Sequence, residues 1–269
     1  MPHRSDTDKE NADSAEPLVL GHSHPLLRRE DFCEEWIARF AAQAKLLGSP
    51  LLSSEEREAS LKPFIAGIAP GQDAWVFGYG SLMWNPAFHV AESRPGTIYG
   101  YHRSFCVEML LWRASPDCPG LMLALDRGGS CQGVAHKIAA EQVETELRIL
   151  WMREMLGGIY QPRWVQVQLD TKAAVRAITF VANREHPRYI GKLAEATIVR
   201  RIARAAGEFG NNRQYLFQLE KHLETLGIVD GPMHRFARLV RHLREPEQVE
   251  SRPEALHGSR TSSRRTSTR

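Results

Sequence analysis

The alternation of apolar and polar residues divides the chain into a helical N-terminal stretch, a strand-rich middle and a helical C-terminal third. Over residues 30–47, Phe32, Trp36, Phe40 and Leu46 or Leu47 recur at roughly helical spacing. Ser53-Ser54 followed by Glu55-Glu56-Arg57 reads as the start of a second, short helix running towards Phe64. The turn formers of residues 67–73 then mark a linker. Beyond it, residues 74–77, 97–107, 164–169 and 175–182 are rich in β-branched and aromatic side chains or alternate with period two, which predicts strands. Residues 121–125 and 133–138 flank Asp126-Arg127-Gly128-Gly129, a pattern that predicts a hairpin. Helical spacing returns at about residues 140–156, 193–206, 213–226 and 232–243. Strands with few helices between them, followed by a helical end, predict an α+β fold with a closed or strongly curved sheet.

Composition narrows this picture without redirecting it. With 269 residues, 42% hydrophobic and 25% charged, the chain falls among soluble globular proteins with room for one large domain and extensions. The expected division is a disordered segment 1–29, a helical extension and linker 30–73, a main domain 74–244 and a disordered basic tail 245–269. That tail sets Arg252, Arg260, Arg264, Arg265 and Arg269 against the single acid Glu254 amid Ser and Thr, so it cannot bury a core. A net charge of +3 is too small to predict a nucleic-acid partner. No apolar run reaches the roughly 18 residues of a membrane span, and the first residues lack a signal peptide's apolar core. No membrane partner and a cytoplasmic location are therefore expected. Cys33, Cys106, Cys118 and Cys131 form no CxxC pair, which favours free thiols in a reducing compartment over a metal site.

Two features carry candidate chemistry. In Val76-Phe77-Gly78-Tyr79-Gly80-Ser81-Leu82 a strand runs into two glycines and a small hydroxyl residue. Gly78 and Gly80 allow close approach to the main chain, and successive amides in such a turn make a nest for a carboxylate or an oxyanion. The same pattern serves equally well as a tight turn with no ligand. The second feature is Glu154. Val143, Leu147 and Leu150 form an apolar stripe at helical spacing, and its continuation falls on a carboxylate rather than a hydrophobe. Glu144 and Arg148, by contrast, are spaced to pair on the outer face. Burial raises a carboxyl pKa, as a general base or acid near neutrality requires. An ion pair with a buried arginine such as Arg103 or Arg113 explains Glu154 equally well. Ser81 has no His and Asp in a triad pattern, and His89, His102 and His136 are scattered over strand-like segments.

The runs WVFGYGSLMW (75–84), RPGTIYGYHRSF (94–105), PGLMLALDRGGSCQGVA (119–135), REMLGGIY (153–160), GNNRQYL (210–216) and LGIVD (226–230) resemble, in order, those of ChaC-type glutathione-specific γ-glutamylcyclotransferases. The resemblance covers about residues 75–243. Arg113-Ala114-Ser115 departs from the Arg-Gly-Thr of related chains. It implies a γ-glutamylcyclotransferase-like small β-barrel with flanking helices, acting on glutathione by ring closure to 5-oxoproline and Cys-Gly. It implies no cofactor and no metal. It places the catalytic glutamate on Glu154 and the substrate loop on Val76, Phe77, Gly78, Tyr79, Gly80, Ser81 and Leu82, with Tyr189 near a pocket tyrosine. Two other readings stand beside it: a cyclotransferase for other γ-glutamyl amines or dipeptides, and a non-catalytic binding or regulatory protein on the same fold.

Overall fold

Two long strands give the fold its frame. The computed structural model describes residues 29–31, 34–47 and 51–243, so Phe32, Cys33, the basic tail and all but Arg29 of the first segment lie outside it. Strand β1 (Ala74–Gly78) is followed by β2 (Glu92–Met109) and β3 (Gly120–Ile138). β2 and β3 run antiparallel along almost their whole length, from Glu92 opposite Lys137 to Met109 opposite Gly120.

The hairpin expected at residues 126–129 is therefore absent: these residues lie inside β3. Their glycines serve an irregularity instead of a reversal. Gly128 and Gly129 have φ of 100° and 71°, and across the ladder Gly100 has φ of 86°, where the register shifts between Tyr99 and Tyr101. Glycines at positive φ suit a bulge as well as a turn, and local sequence does not separate the two.

Strands β4 (Tyr160–Leu169) and β5 (Ala174–Ala182) form an antiparallel pair that completes a closed barrel in the order β1-β3-β2-β4-β5. β5 returns to β1 in parallel at Val76 and Ile178. The α+β class with a closed sheet is as the pattern predicted.

Successive strand residues point to opposite faces, and the barrel has a core on each. Phe77, Ile98, Phe105, Leu123 and Ala177 pack with helices α4 (Glu195–Arg204), α5 (Asn212–Thr225) and α6 (Gly231–His242). Val76, Ile138, Ile178 and Phe180 pack under α3 (Val143–Glu154) and Leu61 of α2 (Ser54–Ala66). The predicted start of α2 is a capping box between Ser53 and Glu56. The N-terminal helix α1 (Glu34–Leu46) begins four residues later than the pattern suggested, after a 3-10 turn at Arg29–Asp31. In α3, Leu147 and Leu150 are fully buried, and Glu144 pairs with Arg148 at 2.8 Å outside. Among the described residues no helix is long and apolar enough to cross a membrane.

Candidate active site

The chain leaving β1 is held by its carbonyl groups. Thr179 Oγ1 donates to Phe77 O at 2.9 Å, Arg103 Nε donates to Tyr79 O at 2.6 Å, and His136 Nε2 lies 2.9 Å from Leu82 O. The carbonyls of Gly80 and Ser81 accept from the amides of Met83 and Trp84 in a 3-10 turn, Ser81–Met83. In a trans peptide the carbonyl and the following N–H point in opposite directions. With Tyr79 O turned onto Arg103, the Gly80 amide faces away from it.

Arg103 and His136 are chemically fixed. Arg103, its side chain 1% exposed, also donates to Gln132 O and pairs with Asp230 at 3.0 Å. Asp230 in turn caps α6 through the Met233 amide. His136 must carry its proton on Nε2 to donate to Leu82 O, leaving Nδ1 to accept from Ser93 Oγ at 2.8 Å. Burial pushes its pKa down to about 4 against the Leu82 hydrogen bond, so it stays neutral.

Helix α5 brings Tyr215 over this loop. Asn211 caps the helix in a box with Gln214, and the buried Asn212 side chain clamps both backbone groups of Leu121, at 2.8 and 3.0 Å. One turn on, the Tyr215 hydroxyl sits so close to Gly80 that a Cβ there would stand 2.7 Å from it. Gly80 is required for this approach rather than for an unusual φ, which is −129°. The Ser81 amide faces the Tyr215 oxygen, so the phenol proton remains available to another acceptor.

Glu154 ends α3 beside this loop with its side chain 13% exposed. Its partner is neither Arg103 nor Arg113 but its chain neighbour: Arg153 Nε lies 2.9 Å from Glu154 Oε1. Arg153 also donates to Ser81 Oγ at 2.8 Å and to Asn85 O, tying the glutamate to the loop. Burial dominates and pushes the Glu154 carboxyl above its ordinary range, against the charge and hydrogen bond of Arg153.

A second buried acid on the same helix shows the contrast. Burial also pushes Glu146 up, but hydrogen bonds from Arg29 and the His89 amide outweigh it and hold its pKa below the usual value. Glu146 is thus held as an anion, whereas burial makes Glu154 easier to protonate.

Two adjoining cavities meet at Glu154. The larger, about 250 Å³, is walled by Trp84, Trp112, Phe209 and Phe40 of α1, with Arg113 and Arg188 in its lining. The smaller, about 30 Å³, is lined by Tyr79, Gly80, Ser81 and Leu82. Ser81, Leu123, Glu154, Tyr160 and Tyr215 line both. Burial, first of all, raises the phenol pKa values of Tyr79, Tyr160 and Tyr215, the last to about 12, and the Glu154 charge adds to each. All three therefore remain donors at neutral pH. Tyr160 spends its proton on Leu123 O at 3.0 Å. The arrangement offers one proton-exchanging carboxylate, a fixed loop with Tyr215 as donor, and a cationic chamber beyond.

Of the residues singled out from sequence, Glu154, Tyr79, Gly80, Ser81 and Leu82 come together here. Val76 and Phe77 do not line either cavity, because they pack into the two opposite cores. Gly78 gives closeness of another kind: a Cβ on Gly133 of the neighbouring strand would stand 2.3 Å from Gly78 O. Tyr189 also lies outside both linings; its hydroxyl donates to Asp126 Oδ2 at 2.9 Å and its backbone bridges to Val107. Its neighbour Arg188 lines the chamber instead. Sequence reasoning passed over Arg153, Tyr160, Arg188 and Tyr215 as site residues. Arg153, Tyr160 and Tyr215 lie within the quoted runs 153–160 and 210–216, which was the available signal. Among the described residues no cluster of His, Cys, Asp and Glu fits a metal ion.

The family described as ChaC-like protein matches residues 74–244. A glutathione-specific gamma-glutamylcyclotransferase of Escherichia coli (strain K12) is 44% identical over 186 residues, 69% of this chain and 80% of the relative. A glutathione-specific gamma-glutamylcyclotransferase 1 of Mus musculus is 35% identical over 165 residues, 60% of this chain and 74% of the relative. Among solved structures, a gamma-glutamyl cyclotransferase specific to glutathione from yeast superposes with a TM-score of 0.57 at 21% identity, over 63% of this chain and 96% of that one. That likeness bears on the fold.

Proposed function

This chain belongs to the ChaC-like protein family, and we propose that it is a glutathione-specific γ-glutamylcyclotransferase that uses Glu154 to move the proton. The observation that carries the reading is a carboxylate raised in pKa by burial, where a small cavity lined by the loop of residues 79–82 adjoins a larger one lined by Arg113 and Arg188. The reading sets the γ-glutamyl head against the loop beside Glu154 and the peptide tail in the larger cavity.

The reaction needs positioning and one proton relay. The α-amino nitrogen of the γ-glutamyl group attacks its own γ-carbonyl carbon, forming a C–N bond and a five-membered ring. The C–N bond to the cysteine nitrogen breaks, and Cys-Gly leaves. The α-ammonium is not a nucleophile until it loses a proton, which Glu154 takes as carboxylate. A carboxyl raised towards the ammonium's own pKa makes that transfer less uphill. Glu154 then returns the proton to the departing nitrogen; the ring nitrogen sheds its second proton as the lactam forms, and the released amine takes up one more to leave as an ammonium. The amides near Gly80 and Ser81 and the hydroxyl of Tyr215 stabilise the oxyanion or hold the α-carboxylate. Holding the chain folded for ring closure supplies the proximity term.

The chemistry is assigned to residues 74–244, with 30–73 as an accessory segment that adds Phe40 to the chamber wall. A cytoplasmic location suits a glutathione substrate and the free thiols Cys106, Cys118 and Cys131. Incubation of the protein with reduced glutathione tests the reading. It predicts 5-oxoproline and Cys-Gly in equal amounts, and their absence would overturn it.

A further inference from the structure

We propose that Arg113 and Arg188 form a carboxylate subsite for the C-terminal end of the departing dipeptide, an inference that rests on the cyclotransferase reading. Among the described residues, the charged ones lining the larger cavity are Arg113, Arg153, Arg188 and Glu154. Arg153 is committed to Glu154, Ser81 and Asn85. The other two arginines are not comparably engaged. Arg113 makes a single long hydrogen bond, 3.5 Å to Asn211 O. Arg188 Nε is buried without a partner, and its guanidinium makes no hydrogen bond or ion pair with the described residues.

Glu108 does not satisfy Arg188. Glu108 is close enough to favour its charge but pairs with Arg201 at 2.9 Å. Burial lowers the pKa of both Arg113 and Arg188, opposed only by Tyr215 and Glu108 respectively. Two cations partly withdrawn from water, without counter-charges among the described residues, are stabilised by an anion that joins them. A planar guanidinium is also the group best shaped to hold a carboxylate.

The position of the pair fits a distal subsite. Both arginines line the larger cavity and neither lines the small one, whereas Glu154 lines both. The Arg188 backbone is pinned to the end of β2, its carbonyl accepting from the Glu108 amide at 2.8 Å. The pair is thus held on the tail side of the reacting centre. Glutathione brings two carboxylates and one ammonium; its α-carboxylate belongs near the loop, which leaves the glycine carboxylate for the arginines. A γ-glutamyl amine without a distal carboxylate gains nothing from them. The subsite therefore gives a physical basis for selecting a tripeptide over simpler γ-glutamyl compounds.

The test compares reduced glutathione with its C-terminal carboxamide, reading 5-oxoproline release by the unmodified protein and by Arg188→Met and Arg113→Met. A hydrogen bond to a charged group predicts a preference for the free acid of roughly 10- to 100-fold in kcat/KM, expressed mainly in KM. Arg188→Met should abolish most of that preference by weakening glutathione and sparing the amide; Arg113→Met should reduce it. The unmodified protein decides the matter even where a variant fails to fold. Equal turnover of acid and amide overturns the subsite and leaves the cyclotransferase reading intact. A preference that survives both substitutions overturns the assignment to these arginines. No product from either compound overturns both.

Discussion

Gly80→Ala adds one methyl group between the loop and α5, and its consequence follows from two distances. The new Cβ stands 2.7 Å from the Tyr215 hydroxyl oxygen and 3.5 Å from Leu123 Cδ2, with no other described residue beyond its chain neighbours within 4 Å. The second contact is ordinary; the first requires movement. Tyr215 has little freedom to move, because Asn212 clamps its helix to Leu121 and the Ser81 amide faces its oxygen. Overpacking of this kind costs about 1–3 kcal/mol. Tyr215→Phe removes the one atom in the way. In the double variant the methyl group meets only Leu123, so it should be scarcely less stable than Tyr215→Phe alone. The coupling energy then equals most of the Gly80→Ala cost, about 1–3 kcal/mol. Urea unfolding of the four proteins, with equal slopes, measures it. Costs that add to within about 0.5 kcal/mol would refute the idea that Gly80 exists to admit Tyr215. Each single variant should also lose turnover.

Arg103→Met removes the donor to Tyr79 O and Gln132 O and strands Asp230; breaking a buried pair of this kind costs about 3–5 kcal/mol. Thermal unfolding should show it as a large fall in Tm, and a change of a degree or two would contradict the anchoring role. His136 sets a pH dependence. Its folded pKa of about 4 lies below the unfolded value, so unfolding takes up a proton as pH falls from about 6.5 to 4. Stability present above pH 6.5 should thus be lost across that window, by up to roughly 3 kcal/mol. His136→Asn should flatten that part of the curve, and a curve unchanged by the substitution would count against a neutral buried imidazole.

The barrel was legible because strand periodicity is local, whereas the meaning of Gly128-Gly129 depended on a partner strand. The same limit governs the site. Glu154 stood out as a carboxylate on an apolar stripe, but its counter-charge did not. Arg153, one position away, reaches it by curling along the end of α3 rather than by facing it across a turn. Tyr189 and Arg188 are adjacent, and the tyrosine hydroxyl is taken up by Asp126 while the arginine lines the chamber. Which of the two lines the chamber depends on how the segment pairs with β2 at Val107, which no local pattern shows. Tyr215 comes from a helix more than 130 residues beyond the loop, and no local pattern joins them. Phe40 reaches the chamber from outside the span that the family matches. Val76 and Phe77 carry the loop's resemblance while serving the two cores beneath it.

Turnover of glutathione by Glu154→Gln decides whether Glu154 moves the proton in the ring closure. Glutamine keeps the shape and loses the base, so glutathione should still bind while 5-oxoproline release falls by about 10²–10⁴-fold, the usual worth of a positioned acid–base group. Release by Glu154→Gln at the rate of the unmodified protein would contradict the account.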